Sequence, residues 1–254
     1  MIRLKGIIAG YKGIEVIKNI NISFEKGSIT GIIGKNGCGK STLLKTASGL
    51  LKPFSGDVTL NGESICNMPG KELAREMSFL PQMRNVPAIS VYNLVMHGRF
   101  PYLGFSRIPQ HEDKAIVEYA LEKLGIERYR DKYLNELSGG ERQKVYIAMV
   151  LAQDTEYIFL DEPTTFLDIN HQLEILDIVN ELKKMGKAVI MAIHDLNSAL
   201  TCSDKICLMD RGQVVIFDTP GKVYNSGEIE RVFHVKCDEV FMEEEGQMQY
   251  VFSI

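Results

Sequence analysis

The stretch Gly34-Lys35-Asn36-Gly37-Cys38-Gly39-Lys40-Ser41 decides the reading of this chain. It fits G-x-x-x-x-G-K-[ST], follows the apolar run Ser28–Ile33, and opens onto a helical pattern that starts near Lys40 and stops at Gly49. Each residue type has a physical task. Glycines let successive backbone N–H groups turn inward as a nest for an anion, and the helix that starts there adds the positive end of its dipole. Lys40 supplies a full charge to the outer phosphates of a nucleotide, and the Ser41 hydroxyl suits Mg2+. Gly34, Lys35, Asn36, Gly37, Cys38, Gly39, Lys40, Ser41 and Thr42 are therefore the expected phosphate-binding residues.

Working outward, strands are expected at Ile2–Ala9, Ile14–Phe24 and Asp57–Leu60, with Asn61-Gly62 as a hairpin-type turn. From about Gln82 to Glu136 the character becomes helical. His111–Leu124 carries Ala115, Ile116, Tyr119, Ala120 and Leu124 near the 3.6-residue period and ends at Gly125. Strand and helix then alternate again. Tyr157–Leu160 and Ala188–Ile193 are wholly apolar runs, as expected for strands buried on both faces of a parallel sheet. Between them Asp168 caps a helix whose stripe reads Ile169, Leu173, Leu176 and Leu182, stopped by Gly186. Hairpins are expected at Cys207–Phe217 and Val235–Phe252, the second with a solvated acidic turn at Glu243–Glu245. The fold class is thus α/β, one domain over 1–254, with a helical insertion at about 83–153 between core segments 1–82 and 154–254.

Asp161 and Glu162 sit where the first of those buried runs ends. A carboxylate at the C-terminal end of a parallel strand lies at the ligand-facing edge of an open α/β sheet. Asp161 is placed to hold Mg2+ and Glu162 to polarise an attacking water as general base. Composition agrees with a nucleotide enzyme and against a nucleic-acid grip: 29 Lys plus Arg face 33 Asp plus Glu, a net charge of −4. No stretch approaches the ~18–20 apolar residues of a membrane span. Arg3, Lys5 and Gly6 break the only N-terminal apolar run, which reads against a secretory signal and for a cytosolic location. Five cysteines, odd in number and never spaced C-x2-C, read as reduced thiols.

Leu137-Ser138-Gly139-Gly140-Glu141, together with the phosphate loop and Leu160-Asp161-Glu162-Pro163, resembles the nucleotide-binding subunit of ATP-binding-cassette (ABC) transporters over nearly the whole chain. The resemblance implies a P-loop NTPase fold: a mixed-sheet core, an N-terminal antiparallel β subdomain and an inserted helical subdomain. It implies ATP and Mg2+ as cofactors. Tyr11 looks like the aromatic that stacks on adenine, and Gln82 like the loop glutamine that senses the γ-phosphate, serves the metal and faces the membrane partner. Ser138, Gly139 and Gly140 look like the signature loop, Asp168 like the loop that meets the opposite subunit, and His194 like the switch histidine at the γ-phosphate. Lys40, Gln82, Glu162 and His194 are then the catalytic set. The family's cassettes pair head to tail with a second copy of themselves on transmembrane permease subunits at the cytoplasmic face, and importers also use an extracytoplasmic substrate-binding protein.

Met68–Gln82, Gly98–Tyr102 and Glu162–Gln172 resemble the branch that imports iron chelates, haem or vitamin B12, with metal ions as another cargo. Thr165-Phe166 departs from the Ser-Ala common elsewhere in the family, and Cys38 occupies a varied loop position. Two other classes read less well. A nucleic-acid-linked ABC ATPase would bring long coiled-coil insertions, zinc modules or a second cassette, and a P-loop kinase or GTPase would lack Leu137–Glu141. Phe100, Tyr102 and Phe105 fit either a cradle for a partner's helix or a small local core. His97, His111, His171 and His234 show no ligand spacing. Cys38, at a helix start beside Lys40, is expected to favour its thiolate.

Overall fold

Five consecutive apolar residues have no solvent face to offer, so such a strand must be covered on both sides. The computed structural model, which describes residues 1–82, 86–105, 107–242 and 247–253, builds the protein around strands of this kind. Strands β1 (Ile2–Tyr11) and β2 (Ile14–Phe24) form a hairpin, β3 (Ile29–Gly34) leads into α1 (Lys40–Ala47), and β4 (Ser55–Leu60) turns back at Asn61-Gly62 into β5 (Glu63–Ser64). Next come α2 (Gly70–Glu76), β6 (Met77–Leu80), α3 (Val91–His97), α4 (His111–Lys123) and α5 (Gly139–Gln153). β7 (Tyr157–Asp161), α6 (Ile169–Lys184), β8 (Ala188–Ala192) and α7 (Leu196–Cys202) follow. β9 (Lys205–Asp210), β10 (Gln213–Asp218), α8 (Pro220–Asn225), α9 (Glu228–Phe233) and the hairpin β11 (Lys236–Met242)–β12 (Gln247–Ser253) complete the order.

The central sheet has the order β10-β9-β3-β8-β7-β6, parallel throughout except for the antiparallel edge strand β10. Side chains alternate across it. Ile158, Leu160, Val189 and Met191 face a helical layer that includes α3–α6, whereas Phe159, Ile190 and Cys207 face α1 and the antiparallel sheet β2-β1-β4-β5. Phe24 of that second sheet meets Phe159 edge to face, with ring centroids 6.3 Å apart. Register fixes what emerges at the sheet's edge. Ile32 pairs with Ala192, and Ala192 pairs with Asp161, so β3, β8 and β7 end side by side.

Two helix stripes differ from the sequence reading. In α4 the buried residues are Asp113, Val117, Ala120 and Leu121, while Tyr119 is exposed. The buried face, Val117, Ala120, Leu121 and Leu124, is itself an apolar i, i+3, i+4, i+7 stripe, which the expected one shares at Ala120 and Leu124 but misses at Val117 and Leu121; at its start the buried Arg99 pairs with Asp113, Nε to Oδ1 at 3.1 Å. Arg99 also donates to the Ala152 carbonyl at 2.8 Å and stacks on the Tyr102 ring. In α6 the buried set is Ile175, Val179 and Leu182, whereas Ile169 and Leu173 are exposed. Strand β6, a four-residue edge element, carries no sequence signal of its own. The acidic run Glu243–Glu245 lies outside the described residues.

The Arg99–Asp113 pair makes a stability prediction. Asp113→Ala leaves a buried guanidinium without its charge partner, and urea unfolding should show a loss of about 3–5 kcal/mol. A loss below about 1 kcal/mol would show that the pair does not hold α4 in place.

Candidate functional site

The site grows from the end of β3. Gly37 and Gly39 adopt φ of +79° and +109°, so the loop folds back on itself before α1 begins at Lys40. No side chain caps this helix and its first turn holds no acidic residue, which leaves its N–H groups available to an anion. Lys40 is buried, and its Nζ donates to the Gly34 carbonyl at 2.9 Å across the base of the loop. Asn36, Gly37, Gly39, Lys40, Ser41 and Thr42 line a cavity of about 170 Å3 that Val16 and Glu162 close. Lys35 and Asn36 are exposed at the loop's tip.

From β7 come the two carboxylates. Ser41 Oγ donates to Asp161 Oδ1 at 2.8 Å, which ties the start of α1 to the end of β7. Burial pushes the Asp161 carboxyl above its ordinary value, and the Ser41 bond only partly offsets this. A cation beside it would favour the ionised form. Two oxygens at this separation, next to a phosphate loop, suit a hard ion such as Mg2+, which keeps several waters and takes few protein ligands. Among the described residues no group of three or more His, Cys, Asp or Glu is arranged to hold a metal, so the fit rests on Ser41 and Asp161. The amide of Gln82 is turned elsewhere.

That amide donates from Nε2 to Glu162 Oε2 at 2.7 Å. Thr165 Oγ1 donates to the same oxygen at 3.3 Å, and His194 Nε2 lies 2.6 Å from Oε1. Glu162 has a φ of +55°, in the left-handed region, so the chain turns sharply after β7 and swings this carboxylate to the cavity. Gln82 after β6, Glu162 after β7 and His194 after β8 thus converge from three neighbouring parallel strands. The structure brings together Lys40, Ser41, Asp161, Glu162, Gln82 and His194.

Other expected residues stand apart from that cavity. Tyr11 is exposed at the β1–β2 turn. Ser138 is the N-cap of α5 in a capping box: its hydroxyl accepts from Glu141 N at 3.3 Å, and its own N–H donates to Glu141 Oε2 at 2.8 Å. The Tyr129 hydroxyl donates to Glu141 Oε1 and is the main reason that this carboxyl is held down at about 2. Tyr129 and Glu141 support the loop at Ser138–Gly140, and sequence reasoning gave neither a role; the Ser-x-x-Glu spacing of a capping box is the signal that points to Glu141, and Tyr129 has none. Ser138 and Gly139 are exposed. Asp168 caps α6, accepting from His171 N at 3.0 Å.

The reading of Cys38 is corrected. Its side chain is buried beneath the loop, and desolvation raises the thiol pKa more than Lys40 lowers it. Phe100 and Phe105 are exposed and do not form a local core, while Tyr102 packs between Arg75 and Arg99.

The model of the ABC transporter family matches residues 17–165, more than half of the chain. The iron(3+)-hydroxamate import ATP-binding protein FhuC of Bacillus subtilis (strain 168) is 43% identical over 232 residues, covering 90% of this chain and 86% of that protein. The ferric enterobactin transport ATP-binding protein FepC of Escherichia coli (strain K12) is 39% identical, covering 92% and 88%. Among solved structures, an inward-facing putative metal-chelate type ABC transporter superposes with a TM-score of 0.86 at 25% identity, over 100% of this chain and 97% of that one. The dimeric cassette MJ0796 gives 0.76 at 29% identity, over 87% and 99%. The chain belongs to the ABC transporter family, as its ATP-binding and ATP-hydrolysing type of subunit.

The burial of Cys38 is directly testable. Maleimide labelling at neutral pH, mapped by mass spectrometry, should modify the exposed Cys66 in the native protein and Cys38 only on unfolding. Rapid native labelling of Cys38 would contradict the geometry.

Proposed function

We propose that this chain is the energy-coupling ATPase of an ABC importer for ferric siderophores, acting as a head-to-tail dimer on two permease subunits. The observation that carries the ATPase reading is the convergence of Gln82, Glu162 and His194 beside the phosphate loop. The triphosphate enters the N–H nest, and Lys40 exchanges its bond to the Gly34 carbonyl for the outer phosphates. Tyr11 stacks on the base. Ser41 and Asp161 would hold Mg2+, whose charge would offset that of the phosphate oxygens. Glu162, aligned by Gln82, Thr165 and His194, accepts a proton from water as the water oxygen bonds to the γ-phosphorus. The bond from that phosphorus to the bridging oxygen breaks, leaving ADP and inorganic phosphate.

Ser138, Gly139 and Asp168 are exposed and lie outside this cavity, as fits residues that serve a nucleotide bound by a second copy. Residues 83–153 form the helical unit and 1–82 with 154–254 the core. A second cavity, about 680 Å3 and lined by Lys71, Phe100, Leu103 and Phe105, is the place where a permease's cytoplasmic segment docks. Among the described residues no helix is long and apolar enough to cross a membrane, so translocation falls to those partner chains. The protein then works at the cytoplasmic face, held there by the permease, with an extracytoplasmic binding protein delivering cargo. The cargo reading rests on relatives named for hydroxamate and enterobactin transport.

Glu162→Gln should bind Mg-ATP normally, hydrolyse it at least ~100-fold more slowly, within the usual range for loss of a general base, and accumulate dimers on gel filtration. A purely monomeric profile with ATP would overturn the dimer. Lys40→Ala should lose ATP binding by calorimetry, and an unchanged Kd would show that the phosphate loop is misplaced. Cells lacking the gene should fail to take up iron supplied as a hydroxamate chelate, whereas undiminished uptake would remove the cargo assignment.

A further inference from the structure

The two exposed elements assigned to the second copy's nucleotide, the signature loop and the loop ending at Asp168, come together where His171 meets Gly140. Gly140, the second residue of α5, is buried, and a methyl group built on it would overlap the imidazole of His171, with Nε2 only 2.6 Å away. A larger residue would have to push that ring aside. On its other side, His171 Nδ1 lies 2.8 Å from Asp168 Oδ2 and 2.9 Å from Oδ1. Hydrogen bonds from the backbone and ring of His171 pull the Asp168 carboxyl below its ordinary value, so an ionised acceptor faces Nδ1 and the proton resides on that nitrogen. One turn further along, Lys144 of α5 pairs with Glu174 of α6 at 3.0 Å. Gln172 Nε2 donates to the Leu167 carbonyl at 2.9 Å, closing the loop onto the same helix.

We propose that His171 is a positioning residue that locks the signature loop and the Asp168 loop into one rigid unit, so that a second copy's nucleotide is met by both together. The inference rests on the dimer reading above and adds a residue with no assigned role in it. The imidazole works as a spacer. Asp168 fixes its rotamer and tautomer, and its face sets how far the start of α5, and with it Ser138, stands from α6. Without the ring, the N-terminal turn of α5 loses its lateral support although Tyr129 and Glu141 still hold it from behind. Ordering that turn then has to be done during dimer closure, which weakens closure without touching the phosphate loop of the same chain.

The test uses the full chain with Glu162→Gln as parent, so that hydrolysis does not reset the dimer. Sedimentation with Mg-ATP gives the chain concentration at half-dimerisation, and calorimetry well below that concentration gives the Kd for ATP. Adding His171→Ala should raise the dimerisation midpoint about tenfold, because each of the two copies then has to order its loosened turn during closure. The ATP Kd of the monomer should not change, whereas a general folding defect would move both. His171→Phe keeps ring volume over Gly140 and removes only the bond to Asp168, and it should also raise the midpoint. If either variant dimerises like its parent, the coupling role is overturned. If the Glu162→Gln parent itself never dimerises with ATP, the dimer reading fails instead, and the two failures are distinct.

Discussion

Three buried parallel strands that stop at one edge set everything else in this protein. β3, β8 and β7 are held in a register that aligns Ile32, Ala192 and Asp161, so the residues just beyond them, Gly34, His194 and Glu162, leave the sheet together. The phosphate loop, the carboxylates and the histidine are far apart in sequence, and the ladder of backbone hydrogen bonds gathers them. The two packed faces of the sheet make that edge rigid, which matters because proton transfer needs a base within hydrogen-bond reach of the water it activates.

The chemistry that rests on this edge is one of charge. A triphosphate brings several negative charges to a place that already contains Asp161 and Glu162. The open N–H groups of α1 and Lys40 answer that charge, as would a cation at Ser41 and Asp161, while Glu162 is steadied by Gln82, Thr165 and His194. Ser138, Gly139 and Asp168 are exposed outside the cavity. In the proposed dimer they serve the nucleotide of a second copy. Shifting a pair of chains from 1:99 to 99:1 closed takes about 5.5 kcal/mol of differential binding. Charge-assisted bonds of about 1.5–3 kcal/mol each, made at two nucleotides, are of the right size.

Much of this was legible in the sequence because its signals are local. The phosphate loop, the apolar runs of β7 and β8, and the Asp168 cap each lie within a few consecutive residues. Where a long-range partner decides, the reading slipped. In α4 the burial of Asp113 depends on Arg99, a residue on a different segment, and no local pattern announces it. Ile169 and Leu173 fit the helical stripe of α6 by spacing, yet both are exposed and only Ile175, Val179 and Leu182 are buried. Cys38 was read from its helix start and its lysine neighbour, yet burial decides its pKa. The grouping of Gln82 and His194 around Glu162 came from family resemblance, since spacing alone carries no such information.

In the proposed dimer neither chain owns a complete nucleotide site. The decisive experiment is a structure of the Glu162→Gln variant bound to Mg-ATP. The γ-phosphate held by Lys40 of one copy should lie within hydrogen-bond distance of Ser138 of the other. A triphosphate whose every contact comes from a single chain would contradict it.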